Sequence, residues 1–147
     1  MRASADDQAA LDVLSARLYA AFGNADGAMP DLDGLRDVFL PGCVIAKAVE
    51  PDAQVQDLEA FIAQRRPLLT DGRLTGFTEK ETAAQTWACG NIAGRCSVYE
   101  KSGVLDGLAF TTRGIKNLQF VRLGGRWWIS ALAWDDERPG LAIPDRP

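Results

Sequence analysis

From Leu74 onward the chain offers almost nothing but long segments of strand-forming residues broken by turn dipeptides. Phe77 to Cys89 is the first such segment, Gly90-Asn91 is a hairpin-type turn, and Ile92 to Lys101 returns. The Ser102 to Gly107 region turns again, Leu108 to Leu123 makes a third long strand, and Gly124-Gly125 leads into Arg126 to Trp134. Strands joined so closely pair antiparallel. The sheet they make needs a layer to cover one of its faces.

The first half supplies that layer. Ser4, followed by Asp7, reads as an N-cap with an acidic first turn. Leu11, Leu14, Leu18, Ala21 and Phe22 then recur at helical spacing until Gly23-Asn24 stops them. A second short helix is expected from Asp31, carrying Leu32, Leu35, Val38 and Phe39, with Pro41-Gly42 ending it. Cys43 to Val49 reads as a strand, closed by Glu50-Pro51-Asp52. Asp57 resembles the N-cap of a third helix with Leu58, Phe61 and Ile62, which Pro67 should end or kink. Helices followed by a meander of strands give an α+β architecture. At 147 residues the chain reads as a single domain, 1–147, with 135–147 as a proline-rich C-terminal tail.

Register decides which side chains share a face. A two-residue turn at Gly90-Asn91 would set Glu81 opposite Glu100, an unfavourable pairing of like charges. A turn longer by one residue relieves it and changes which residues face each other. A slip of one residue inverts the faces of a strand.

Composition excludes several function classes. The chain has no histidine, which removes Ser-His-Asp and Cys-His nucleophile schemes, His-containing zinc sites and the common neutral-pH proton shuttle. Cys43, Cys89 and Cys96 have no metal-site spacing and read as small buried hydrophobes, so neither metal nor cofactor is expected. The net charge is −4 without a basic cluster, which argues against nucleic acid. Apolar runs are only a few residues long and the N-terminus has no signal-peptide core, so no membrane association and a cytoplasmic address are expected.

One set of residues carries a resemblance. Phe77, Glu79 and Glu81 are followed by Gly90, Ile92 and Ala93, then by Ser97, Tyr99 and Glu100. Arg113-Gly114-Ile115, Leu118-Gln119, Arg126-Trp127-Trp128-Ile129, Trp134, Glu137-Arg138-Pro139 and Ile143-Pro144 complete it. With this order of helices and strands, the chain resembles a bacterial branch of the nuclear transport factor 2-like superfamily, SnoaL-like or ketosteroid isomerase-like in kind. The resemblance implies a cone-shaped curved antiparallel sheet with three N-terminal helices packed on its concave side, enclosing a pocket. It departs from the branch pattern after Ile115, where Asn then Ser are expected and Lys116 then Asn117 stand. The superfamily includes isomerase-, cyclase-, dehydratase- and epoxide hydrolase-like enzymes as well as non-catalytic association domains, so fold alone selects no reaction. Its dehydratase-like sites rely on histidine, which disfavours that chemistry here.

Within such a pocket Glu79, Glu81 and Asp135 are the candidate bases, provided that burial raises their pKa; otherwise they are solvated strand charges. Arg113 either holds a ligand oxygen or secures the sheet through Glu79, Glu81 or Glu100. Period two puts Thr111, Ile115, Asn117, Gln119 and Val121 on the Arg113 face, which is either ligand-lining or a polar dimer face. Tyr99 is a candidate hydrogen-bond donor to an oxyanion, and Trp134 joins Arg113, Asn117 and Gln119 as a candidate ligand contact. Adjacent Trp127 and Trp128 must face opposite sides of their strand, and an outward tryptophan calls for cover, which favours a homodimer through the sheet. The remaining expected partner is an unidentified small molecule. The rival reading is a non-catalytic dimerisation or ligand-sensing module.

Overall fold

Two capped segments become α-helices. In the computed structural model, which describes residues 1–147, α1 is Ala5–Ala20 and α2 is Leu58–Thr70. Ser4 Oγ accepts from the Asp7 amide at 3.1 Å, and Asp57 Oδ1 from the Ala60 amide at 2.8 Å. Each cap satisfies an amide that the first turn leaves without a partner. Leu11, Leu14 and Leu18 are the buried stripe of α1; Leu58, Phe61, Ile62 and Leu69 are that of α2. Pro67 does not end α2, which continues to Thr70 and closes with the Asp71 amide on the Pro67 carbonyl at 2.9 Å. Neither helix is long and apolar enough to cross a membrane.

The expected second helix does not form. Asp33–Asp37 makes a five-residue 3-10 turn, too short to offset the cost of nucleating an α-helix. Val38 and Phe39 are buried instead by the start of β1 (Phe39–Lys47), so Pro41-Gly42 lies inside that strand at an irregularity. The fold therefore has two α-helices rather than three.

Six strands form one curled, unclosed sheet, with β2 as Gln54–Gln56, β3 as Leu74–Cys89 and β4 as Ile92–Leu105. β5 is Leu108–Leu123 and β6 is Arg126–Asp136, giving the spatial order β2-β1-β6-β5-β4-β3. The meander β3 to β6 is antiparallel throughout, but β1 joins β6 in parallel, which corrects the wholly antiparallel expectation. The meander leaves one side of β6 open for main-chain pairing, and β1 occupies it from an earlier part of the chain.

The like-charge problem at Glu81 is solved within the strand rather than in the turn. Cys89 pairs with Ile92 across a two-residue turn, yet a bulge between Glu81 and Ala83 shifts the register. Glu81 now stands opposite Tyr99, and Glu100 stands opposite Lys80. The bulge also switches the parity of inward residues: Thr86 and Ala88 face the helices beyond it, Glu79 and Glu81 before it. It bends β3 as bulges do.

The core lies between helices and sheet, with Leu11, Leu18, Phe61, Leu118, Phe120, Ile129 and Trp134 among its members. Trp127 is buried, while Trp128 on the other side is covered by the Arg126 guanidinium at 3.6 Å from its ring centroid. Trp128 is thus covered from within the chain, and a second copy is not required for it.

Candidate functional site

The site is written in the strand register. Three inward rows cross the sheet two residues apart. Glu79, Lys101 and Thr112 make the first; Glu81, Tyr99, Gly114 and Asp136 the second; Ser97, Lys116 and Trp134 the third. Above them stand Phe22 after the end of α1 and Phe61, Arg65, Leu68 and Leu69 from α2, around a cavity of about 300 Å³. Leu74, Phe77 and Phe110 supply much of its apolar wall. Phe61 meets the Trp134 ring edge-on at 6.0 Å between centroids.

Polar groups cluster on the cavity floor. Lys116 forms an ion pair with Glu79 Oε1, and the two side chains are 6% and 8% exposed. The Lys116 ammonium lies 3.8 Å from the Tyr99 ring centroid and 4.9 Å from that of Tyr19, where the ring faces add attraction for a cation. Burial lowers the Lys116 pKa against the opposing charge of Glu79. The Tyr99 hydroxyl donates to Asp136 Oδ1, and Lys101 donates to Asp136 Oδ2 at 2.8 Å. Burial, and next the Asp136 charge, raise the Tyr99 pKa far above the usual phenol range. Tyr99 spans from β4 to β6 because the intervening residue is Gly114; a Cβ at that position would collide with the phenol ring and hydroxyl.

Of the residues expected from sequence, Glu79, Tyr99 and Trp134 line this cavity together. Glu81 lies to the side, under α1, bound through Oε1 and Oε2 to Arg95 at 2.5 and 3.0 Å. Ser97 also donates to Glu81, at 2.5 Å, and Tyr19 shares a hydrogen bond with Ser97 at 2.7 Å. Glu81 is therefore a partner of buried Arg95, which Asp12 also contacts at 2.7 Å. Asp135 points away from the cavity and pairs with Arg138; Asp136, one residue on, shares the Trp134 face and takes the place expected for Asp135. Arg113 stands opposite Glu100 in register, but its guanidinium reaches the C-terminal tail, at Ile143 O (3.0 Å), Pro144 O (3.2 Å) and Asp145 (3.1 Å). Asn117 and Gln119 lie exposed on the outer face, beside Val44, Trp87, Ala131 and Ala133. Alternation explains the outward placement of Arg113, Asn117 and Gln119, since even-numbered residues of β5 face the helices.

Lys116, Lys101, Asp136 and Arg65 were not among the candidates. Lys116 is the position at which the sequence leaves the branch pattern, and it sits at the centre of the floor. No three His, Cys, Asp or Glu side chains converge closely enough to hold a metal ion. What the arrangement offers is acid–base chemistry. Glu79 makes a hydrogen bond through Oε1 alone and leaves Oε2 for a ligand, beside a confined ammonium.

No protein-family model matches the sequence, and no curated protein matches it. Solved structures do resemble it. An NTF-2 like protein of unknown function from Silicibacter pomeroyi shares 17% identity over 92% of this chain and 99% of its own, with a TM-score of 0.63. A scytalone dehydratase-like protein from Novosphingobium aromaticivorans shares 11% over 90% of this chain and 85% of its own, with a TM-score of 0.72. LinA shares 12% over 90% and 87%, with a TM-score of 0.75. At these identities the likeness is one of fold.

Proposed function

We propose that this chain, which has the nuclear transport factor 2-like fold, binds a small and largely apolar molecule between α2 and the sheet and acts on it as a metal-free acid–base enzyme of isomerase, cyclase or hydrolase type. The carrying observation is the Glu79–Lys116 pair, confined in an apolar cavity with one carboxylate oxygen uncommitted. In this reading Glu79 takes a proton from carbon next to a ligand carbonyl. The negative charge passes to the ligand oxygen, and Lys116 stabilises it there. Tyr99, Asp136 and Lys101 hold the floor rigid and orient the ligand. The departure at Lys116 fits a ligand whose oxygen becomes anionic during the reaction.

The test is solvent deuterium incorporation into a panel of enolisable ketones and esters, followed by mass spectrometry. Exchange that disappears in Glu79→Gln supports the assignment. Binding without exchange for every compound would favour the ligand-sensing alternative, for which the mutual satisfaction of Tyr99, Asp136 and Lys101 speaks.

The reading includes a cytoplasmic homodimer formed through the outer sheet face. Trp87 is 44% exposed and Val44 47%, and both border a shallow groove floored by Ala46, Ala131 and Ala133. Sedimentation showing a monomer at tens of micromolar would sink the dimer.

A further inference from the structure

Taking the cavity as a ligand site, we infer that its ligand is a monoanion, a planar carboxylate on an apolar body, anchored by Arg65. Three cations line the cavity, Arg65, Lys101 and Lys116, against two anions, Glu79 and Asp136. Lys116 is paired with Glu79 and Lys101 with Asp136, which leaves one positive charge without a counter-charge. That charge is Arg65. Its guanidinium makes no hydrogen bond or ion pair and lies instead 5.2 Å over the Phe61 ring and 5.6 Å over the Trp134 ring. Burial lowers its pKa, and the charges of Glu79 and Asp136 only partly oppose that.

The adjacent Arg66 shows what an arginine on the outer side of the same helix does: it pairs with Asp33 at 2.6 Å. Arg65 sits on the buried stripe with Phe61 and Leu69, four residues to either side, so the helix turns it toward the cavity. A stacked guanidinium keeps its edge and its fork of N–H donors open, and that fork matches the two oxygens of a carboxylate. A neutral ligand would remove water from this fork and bring an acceptor oxygen at most, never the counter-charge. The walls of Phe22, Leu74, Phe77 and Phe110 fit an aromatic or aliphatic body. The volume lies at the small end of ligand pockets, about 300–1,000 Å³.

The experiment is calorimetric titration of the full chain with benzoate, 2-naphthoate and octanoate, each against its neutral amide. The wild type is expected to bind at least one acid tenfold or more tighter than the amide. Arg65→Gln should erase that preference while leaving amide binding in place, and Arg65→Lys should restore part of it. Because Arg65 makes no hydrogen bond or ion pair in the fold, Arg65→Gln loses only the stacking on Phe61 and Trp134 and should keep a cooperative melting transition within a few degrees of the wild type, which separates loss of recognition from loss of folding. Equal binding of acid and amide by the wild type would overturn the anion assignment and leave the small-molecule reading standing. A preference that survives Arg65→Gln would overturn the role of Arg65. Binding of neither acid nor amide by any pair would overturn both readings together.

Discussion

Two buried charge clusters lie on the same face of the sheet, and they are built differently. Under α1, Arg95 uses three nitrogens on Glu81, Asp12 and Thr86, while Ser97 and Tyr19 extend the chain of hydrogen bonds. Under α2, Lys116 meets Glu79 through one carboxylate oxygen, and the rings of Tyr19, Tyr99 and Trp134 stand around its ammonium. The first cluster has an arginine fork, a carboxylate (Glu81) with both oxygens bonded, and no place among the cavity-lining residues. The second uses point-like ammonium groups, keeps carboxylate valence unused and opens on a cavity. Saturation marks the cluster that holds the fold, and incomplete saturation marks the one available to a ligand.

The comparison breaks most easily at Arg95. Arg95→Met strips the buried fork from half-buried Glu81, from Asp12 and from Thr86 at once, and is expected to lower stability by about 3 kcal/mol, the lower end for breaking a buried pair. Urea denaturation measures it; a loss as small as that of a surface substitution would mean that the α1 cluster is not structural. Lys116→Met should cost less, about 1–3 kcal/mol, because it removes a single hydrogen-bonded contact where Arg95→Met removes four. The double variant Glu79→Gln with Lys116→Met should regain most of that loss while deuterium exchange stays absent, and failure to regain it would make this cluster structural as well. Tyr99→Phe should be milder still, about 1 kcal/mol, since Lys101 remains on Asp136. The smallest effect is the dependence on pH. Burial holds Lys116 below its ordinary value of 10.5, so between the two values the unfolded chain carries the extra proton and stability rises with pH. Subtracting the Lys116→Met stability curve from that of the wild type should leave an upward slope on approach to 10.5. A downward slope would show that Glu79 outweighs burial.

Local signals made the meander and both helix starts legible, because a turn dipeptide and an N-cap act within four residues. The parallel union of β1 with β6 has no such signature, since it joins segments some ninety residues apart in sequence. The site was half legible for a different reason. Glu79, Tyr99 and Trp134 were placed in the pocket, and period two from Trp134 leads to Asp136, not to Asp135. Counting by twos from Arg113 along β5 leads to the odd-numbered face, and so to Asn117 and Gln119 rather than to Lys116. The bulge at Thr82 could not be foreseen from spacing, although the clash it avoids between Glu81 and Glu100 was visible. Arg65 did leave a trace. It is the charged residue on the apolar stripe formed by Leu58, Phe61, Ile62 and Leu69, where an aliphatic side chain would be the ordinary occupant.

Gly114 has a consequence for how sequences of this kind can change over time. The Tyr99 phenol lies where a side chain at position 114 would have to begin. Any larger residue there is compatible only with a smaller one at position 99, so the two positions can drift only as a pair. Losing the tyrosine in turn takes one of the two donors from Asp136 and leaves Lys101 as the other. Among natural relatives, glycine at 114 should therefore co-vary with tyrosine at 99 and an acid at 136. That three-position word, spread over three strands, is a more discriminating search pattern for chains with this cavity floor than any contiguous motif in the sequence.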